Sequence, residues 1–595
     1  MRLSSIKIKN FRNYRNFEVE VGRSAVILGE NQIGKTNLIH ALRLVLDPSL
    51  PDSARQLRPE DFWDGLNPLD KDSRILIAVE ISDFEDDEDE LAILAEHLVE
   101  PSPMVARLCY EFTPIPDLGR VPSNEEDFEF VTYGGDRPEN RFGYELRKRM
   151  PMEVMHALRD AESDLSRWSR SPLKPLIDLA KSELEPHDLT LVADDITTAT
   201  EKVAELKPIQ ELKDKINNKL EQMAGVNHAT IMDLGFTAAD PNKLLRSLRL
   251  LFDERSREIS EASLGTANVL YLALRSLDLE SMVEAGNREH TFFSIEEPEA
   301  HLHPHLQRLV YRSYLRPRLT GTEGGNRDEE RVSYLMTTHS AEIASITPID
   351  SLIILRRDEE DASTIGISGA SIELSDKERN DIERYLDVSR AEGLFSRGIL
   401  LVEGDAEKFL VPILAARAGY DLDALGITIC SVAGTNFVPY VKFFGPTGLN
   451  LPIAVITDFD PYKIDGSYGK ERAVNQILPA ILGDESPEDF DECLELLNEN
   501  GIFLNKHTLE VDLFNSGYIW SIARAMEDLC EVKAAVTRAQ KRAKVKKLDD
   551  SEIFLKDIEY VGKGRFAQRL ASHIATSKCK HCPEYILKAI KHVAE

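Results

Sequence analysis

Nowhere in the 595 residues does an apolar run reach the ~18 residues that a membrane-spanning helix needs. The opening Met1-Arg2-Leu3-Ser4-Ser5-Ile6-Lys7 also lacks the continuous apolar stretch of a secretory signal. A cytoplasmic protein with no membrane partner is expected. Cysteine is scarce: Cys109, Cys430, Cys493, Cys530, Cys579 and Cys582 are scattered, too few for a disulfide framework in so long a chain, and they read as reduced thiols. Cys579-Lys580-His581-Cys582 has the spacing of half a zinc site, but no second pair accompanies it and a structural zinc needs four ligands. Trp63, Trp168 and Trp520 are isolated and read as packing residues. Positive charge is also short, since 72 basic residues against 103 acidic ones leave a net charge of −31. Nucleic acid is therefore repelled on average, and any contact with it must be local.

What is present is an ordinary globular mixture, 42% hydrophobic and 29% charged, long enough for two to four domains. Ser5 to Arg12 alternates like a strand, and Ser24 to Leu28 is an apolar run that ends in Gly29, as buried parallel strands do. Arg74 to Ser82 reads as a further strand and Glu85 to Glu90 as an exposed acidic turn. Between 155 and 225 the pattern becomes long, charged and helical, which suggests an inserted arm. Alternation of strands and helices resumes near 265, gives way to a polar stretch from Arg357 to Asn380, and restarts at Arg397 with apolar strands at 398–402, 427–432 and 452–457. The expected organisation is an N-terminal ATPase segment over 1–154, a helical insertion over 155–225, a second ATPase segment over 226–365, a linker over 366–396 and a C-terminal α/β domain over 397–595.

The first chemical constellation is Gly29-Glu30-Asn31-Gln32-Ile33-Gly34-Lys35-Thr36, a phosphate-loop pattern lying between a buried strand and a helix. Backbone amides around Asn31 and Gly34 suit phosphate oxygens, Lys35 neutralises their charge, and the Thr36 hydroxyl suits magnesium. Such a loop needs an acidic partner at a strand end, and Phe292-Phe293-Ser294-Ile295-Glu296-Glu297-Pro298-Glu299 offers it. Glu296 is the candidate for magnesium and Glu297 for polarising the attacking water. His339, after the apolar run ending in Thr337-Thr338, is a candidate γ-phosphate contact. Ser263 and Gly265 open a helix with small polar residues and form a candidate anion site. Together these motifs resemble the ABC-type ATPase heads of chromosome-maintenance and recombination proteins. In that resemblance Ser263 to Asn268 is the signature segment that acts on the nucleotide of a second protomer, with Ser-Leu-Gly-Thr-Ala standing where the serine-glycine-glycine core is usual.

The second constellation follows Leu400-Leu401-Val402. Glu403 and Glu407 converge if the turn there enters a helix, and a second apolar strand ends in Asp458-Phe459-Asp460 about 55 residues later. Oxygen-only ligands at strand ends suit Mg2+ or Mn2+, and two such ions about 4 Å apart would serve phosphodiester cleavage. Glu510 and Asp512 add carboxylates after a further strand, and Lys563 in Gly562-Lys563-Gly564 is placed to stabilise pentacovalent charge. The paired acids match the Toprim pattern of topoisomerases, primases and certain nucleases. A basic run free of acids, from Lys533 to Lys547 and including Lys541, Arg542 and Lys544, is the candidate strip for DNA phosphates.

An ABC-type head with a helical insertion and a C-terminal Toprim domain closely resembles the OLD (overcoming lysogenization defect) family of nucleases, to which the Gabija nuclease subunit belongs. The resemblance implies an α/β fold: a P-loop ATPase domain with an inserted helical dimerisation arm, then a Toprim α/β domain with helical elaborations. It also implies ATP, one ion with it and two Mg2+ or Mn2+ ions in the Toprim site. Glu403, Glu407, Asp458, Asp460, Glu510 and Asp512 carry over as metal ligands, and Glu403 and Lys563 as catalytic groups. The implied partners are DNA, further copies of the chain in a homodimer or homotetramer, and a helicase-like or other defence-system protein. The implied activity is nicking or cleavage of DNA, in anti-phage defence or DNA repair. A scaffolding ATPase with a non-catalytic Toprim domain is the alternative that the residues leave open.

Overall fold

The computed structural model describes the chain except residues 67–68, 117, 157–160, 225–230, 235–239, 253–256, 285, 287, 315–330, 359, 464–465, 483–489 and 595. Two compact units result: one comprises 1–155, 290–299 and 304–595, the other 156–289 and 300–303.

The larger unit begins with an antiparallel sheet. Its strands are β1 (Arg2–Phe11), β2 (Tyr14–Glu20), β4 (Ile75–Ser82), β5 (Leu98–Pro101), β6 (Met104–Pro114) and β7 (Phe128–Gly134), in the order β2-β1-β4-β6-β5 with β7 also on β6. Alternation sets its register: Ile6 faces Val19 and Val79, and Ile8 faces Phe17 and Ile77, so one apolar row runs across three strands. That row packs with the helix Lys35–Leu46, whose Leu38, Leu42 and Val45 are fully buried, in one continuous core.

A second, mostly parallel sheet holds β3 (Ala25–Gly29), β8 (Met152–Met155), β11 (Thr291–Glu296), β12 (Val332–Thr337), β13 (Leu352–Arg357) and the antiparallel β14 (Thr364–Ser368), in the order β14-β13-β3-β12-β11-β8. Every residue of β3, β11 and β12 is buried, as expected for strands covered on both faces. The parallel register pairs Glu296 with Thr337 and Thr337 with Ile27, which brings the ends of three strands to one edge.

The C-terminal sheet contains β15 (Gly398–Val402), β16 (Ile427–Ser431), β17 (Ile453–Thr457) and β20 (Ile502–Leu504) in the all-parallel order β16-β15-β17-β20. A two-stranded ribbon, β18 (Pro461–Lys463) with β19 (Gly466–Ser467), lies between the last two. Val402 pairs with Ser431 and Ile456, and Thr457 with Leu504, so Glu403, Asp458 and Asn505 emerge at the same edge. That edge, beyond the carboxyl ends of parallel strands, is where open α/β sheets bind ligands.

The smaller unit is built on helices Ala161–Ser166, Leu173–Glu183, Pro186–Ala204, Lys207–Ala224 and Leu264–Glu284, with one short ribbon of β9 (Leu251–Phe252) and β10 (Arg257–Glu258). It extends to 289, past the insertion limit of 225 expected from the sequence. The reason is a local core of Ala161, Leu165, Ala267 and Leu274 that ties Leu264–Glu284 to the helices before it. The expected boundary at 225–226 itself lies outside the described residues.

Two other expectations are corrected. The segment 366–396 is not a linker: it forms part of β14 and the helices Asp376–Tyr385 and Val388–Ala391, held to the C-terminal domain by Lys442 Nζ to Glu378 (2.8 Å) and Arg390 Nε to the Ser431 carbonyl (2.7 Å). The turn at Glu85 to Glu90 is not wholly exposed, because Glu90 is buried and accepts from the Met1 ammonium at 2.6 Å.

Candidate functional site

Backbone conformation shapes the phosphate loop before any side chain acts. Gly29, Gln32 and Gly34 all have positive φ, and a Cβ at Gly34 would lie 2.1 Å from the Asn13 side chain. Asn13, in the turn after β1, and Tyr14, the first residue of β2, grip the loop: the Asn13 amide donates to the Ile33 carbonyl (2.8 Å) and the Tyr14 hydroxyl to that of Gly34 (2.9 Å). Lys35 is buried, and its amine donates to the carbonyls of Gly29 (2.8 Å) and Glu30 (3.0 Å). Burial lowers its pKa to about 8 against the opposing pull of Glu297 and Glu299. Asn31 and Thr36 lie beside it, both exposed.

At the end of β11, Glu296 is buried, and Glu297 takes a left-handed φ of 44° while its amide donates to the Thr337 carbonyl (2.9 Å). His339 Nε2 stands 3.5 Å from Glu297 Oε1, and burial followed by the charge of Lys35 lowers its pKa against the pull of Glu297. Glu299, given no role by the sequence, accepts from the His339 amide at 2.7 Å and positions that turn; burial raises its pKa. Lys35, Glu296, Glu297 and His339 thus share one strand edge. Ser263 and Gly265 belong to the other unit, where the Ser263 hydroxyl accepts from the Thr266 amide (3.2 Å) at the start of Leu264–Glu284.

The C-terminal sheet gathers the second set. Glu403 Oε1 accepts from the Thr457 hydroxyl (2.6 Å), the Asp458 amide (3.0 Å) and Arg472 Nη2 (2.7 Å). Glu407, one helical turn on, accepts from the Gly404 amide at 3.1 Å. Burial raises its pKa to about 7, with the charges of Glu403 and Glu510 adding to the effect. Asp458 is pushed well above the usual carboxylate range by burial and then by Glu403, Glu407, Glu510 and Asp460. It accepts from the Asn505 amide group and from the Leu509 backbone N–H. Lys563 starts the helix Lys563–Ala575; burial works to lower its pKa, but Glu510, Asp458, Glu559 and Asp460 outweigh it and raise the value.

Glu403, Glu407, Asp458, Asp460, Glu510 and Lys563 therefore act on one another as a cluster. Among the described residues no three acids, histidines or cysteines close as a ready metal cage; Glu403, Glu407 and Asp458 each accept from a hydrogen-bond donor of their own. The set nevertheless fits divalent ions. All its ligands are oxygens, and Glu510 holds a buried Oε2 with no hydrogen-bond partner. The Asp512 carboxylate accepts from the Lys506 amide at 2.8 Å, and with Asp458 and Glu407 it is one of the charges acting on the buried Tyr585 hydroxyl.

Sequence reasoning missed Arg472, Thr457 and Asn505, which orient Glu403 and Asp458 from outside the acidic motifs. It also assigned Arg542 to a DNA strip in error. On the helix Lys533–Val545 that side chain is buried and paired with Asp549 (2.7 Å) and Asp557 (3.2 Å), while Lys541 and Lys544 are exposed. Six free cysteines are present, as the composition implied. No helix among the described residues is long and apolar enough to cross a membrane.

Comparison with known proteins covers both halves. A family model described as AAA ATPase domain matches residues 1–130 and 155–344, and one described as Overcoming lysogenization defect protein-like, TOPRIM domain matches 394–460. The OLD nuclease of Thermus scotoductus is 25% identical over 475 residues, which cover 78% of this chain and 83% of that one. Endonuclease GajA of Bacillus cereus is 22% identical over 588 residues, covering 91% and 93%. The solved C-terminal region of the Burkholderia pseudomallei OLD protein is 39% identical and covers 34% of this chain and 98% of its own, with a TM-score of 0.32.

Lys35→Ala should abolish ATP binding measured by calorimetry, whereas Glu297→Gln should bind ATP and fail to release phosphate. Because the folded-state pKa of Lys35 lies below its ordinary 10.5, its charge is present below about pH 8 and lost as pH rises through that value. Affinity for ATP should therefore fall as pH rises through about 8 in the unaltered protein; a flat profile would contradict the assignment.

Proposed function

The chain belongs to the AAA ATPase domain family over more than half its length, and its C-terminal part to the OLD family of TOPRIM proteins; from this we propose that it is an ATP-binding, divalent-metal-dependent DNA endonuclease. The observation that carries the reading is the meeting of Glu403, Glu407, Asp458, Asp460, Glu510 and Lys563 at one edge of a parallel sheet. Those carboxylates would hold two Mg2+ or Mn2+ ions, which when bound activate the attacking oxygen and stabilise the leaving one. Lys563 keeps its charge among them and suits the charge that develops on the phosphate. Asn505 and the Leu509 amide fix Asp458, and the Thr457 hydroxyl fixes Glu403, so the place of each carboxylate is set before an ion arrives. At the other strand edge the loop amides and Lys35 would hold the ATP phosphates, with Thr36 and Glu296 for their ion, Glu297 for the attacking water and His339 for the γ-phosphate. Ser263 and Gly265 would complete that site from a second copy of the chain, joined through the helical unit. Exposed Lys541 and Lys544 supply local phosphate contacts on an otherwise acidic protein.

The decisive assay is nicking and linearisation of supercoiled plasmid with Mg2+ or Mn2+. Glu403→Ala and Asp458→Ala should each lose cleavage while retaining ATP binding, because the two sites lie on different sheets. Lys563→Ala should lower the rate more than it lowers metal affinity. Persistent cleavage by the Glu403→Ala, Asp458→Ala double variant would point to a contaminating nuclease or a different active site, and would put the scaffolding-ATPase reading ahead.

Reversing Lys541 and Lys544 to glutamate should weaken DNA binding and reduce its dependence on salt, by about one unit of slope for each phosphate no longer neutralised. Arg542→Glu should instead destabilise the fold, since it would set a new carboxylate against Asp549 and Asp557. An unchanged salt slope in the lysine variant would move the DNA path elsewhere.

A further inference from the structure

Arg472 enters the acidic cluster from the helix Tyr468–Arg472, which continues into a π-helical turn over Ala473–Ile477. Such turns are rare and recur at functional sites. The seat of this helix is tight: a Cβ on Gly469 would lie 1.7 Å from the Asp458 carbonyl oxygen, so only glycine allows the approach. Ser467 caps the helix through the Lys470 amide (3.0 Å) and donates its hydroxyl to the Phe459 carbonyl. The helix is thereby fastened to the loop that carries Asp458 and Asp460. From it Arg472, its side chain only 9% exposed, reaches Glu403 Oε1 at 2.7 Å, the Thr457 hydroxyl at 2.5 Å and the Asp458 carbonyl at 3.4 Å, with Asp460 Oδ2 at 3.9 Å.

We infer that Arg472 is a positioning residue of the carboxylate site, a built-in countercharge that holds Glu403 by an oxygen a divalent ion would draw on and competes with the ion for it. The inference rests on the two-ion reading above. Several carboxylates brought together out of water repel one another, and a buried cation is the usual remedy. One oxygen that already accepts from a guanidinium, a hydroxyl and an amide must give up part of that shell to ligate a metal, whereas Glu510, with its bare buried oxygen, need not. Arg472 thus sets how much metal is needed to load the site.

The test is titration calorimetry of Mn2+ into the full chain, unaltered and with Arg472→Gln or Arg472→Lys, with thermal unfolding followed in parallel with and without Mn2+. Arg472→Gln should melt earlier without metal, bind Mn2+ on the order of tenfold more tightly, and gain more in Tm on adding Mn2+ than the unaltered protein. Arg472→Lys keeps the charge but loses the fork that spans Glu403 and Thr457, and its affinity should fall between the two. Unchanged or weaker Mn2+ affinity in folded Arg472→Gln overturns the inference; if that variant does not fold, the same result in Arg472→Lys does so. Absence of Mn2+ binding by the unaltered protein overturns the metal reading itself, which separates the two failures.

Discussion

Carboxylates brought out of water at one strand edge repel each other, and the C-terminal domain is organised around that repulsion. Asp458 is held well above the ordinary carboxylate range and Glu407 near neutrality, because burial removes the water that would solvate their charges and neighbouring acids add to the cost. The fold offsets part of it. Amides of Gly404, Asp458 and Leu509 point at the oxygens, Asn505 and Thr457 add donors, and Arg472 and Lys563 add positive charge. The parallel register that aligns Val402, Thr457 and Leu504 is what brings these groups to one edge.

The phosphate loop shows the opposite arrangement, with one buried cation facing acids. Lys35 sits among Glu297 and Glu299, its amine on loop carbonyls. The two sites are joined through a short path in the larger unit. Arg397, which precedes β15, lies 3.5 Å from Glu30 of the loop, and Arg356 near the end of β13 donates to the carbonyls of Ser396 (3.0 Å) and Asn450 (3.3 Å). A cavity of about 660 Å³ opens between them, lined by Gly29, Glu30, Arg356, Phe395 and Pro452. The strand that ends at Val402, just before Glu403, therefore begins beside the phosphate loop.

Both chemical sites were legible in the sequence where a short motif follows an apolar strand. Gly29 to Thr36, Glu296-Glu297, Glu403 with Glu407, and Asp458 with Asp460 each carry their own spacing, and a buried parallel strand announces itself as an uninterrupted apolar run. The residues that orient them carry no such signal. Arg472 lies beyond a ribbon, Asn505 follows the last strand, and Asn13 sits in a tight turn; each is a long-range partner with ordinary neighbours. Asp512 shares a motif with Glu510, and its carboxylate also accepts from the Lys506 amide, which closes the local turn. The error at Arg542 was avoidable. Ala535, Ala539 and Ala543 mark the buried stripe of its helix, and residue 542 lies next to it, which turns the guanidinium toward Asp557 and away from solvent. The wider helical unit was hidden because the apolar contacts of Leu264–Glu284 reach back to Ala161 and Leu165, far away along the chain.

If the carboxylate edge of the C-terminal sheet is a two-ion site, anomalous diffraction from crystals of the full chain soaked in Mn2+ tests it most directly. Two peaks about 4 Å apart within reach of Glu403, Glu407, Asp458, Asp460 and Glu510 are the expected result. Peaks only elsewhere, or none at that edge in crystals whose phosphate loop binds nucleotide, would contradict it.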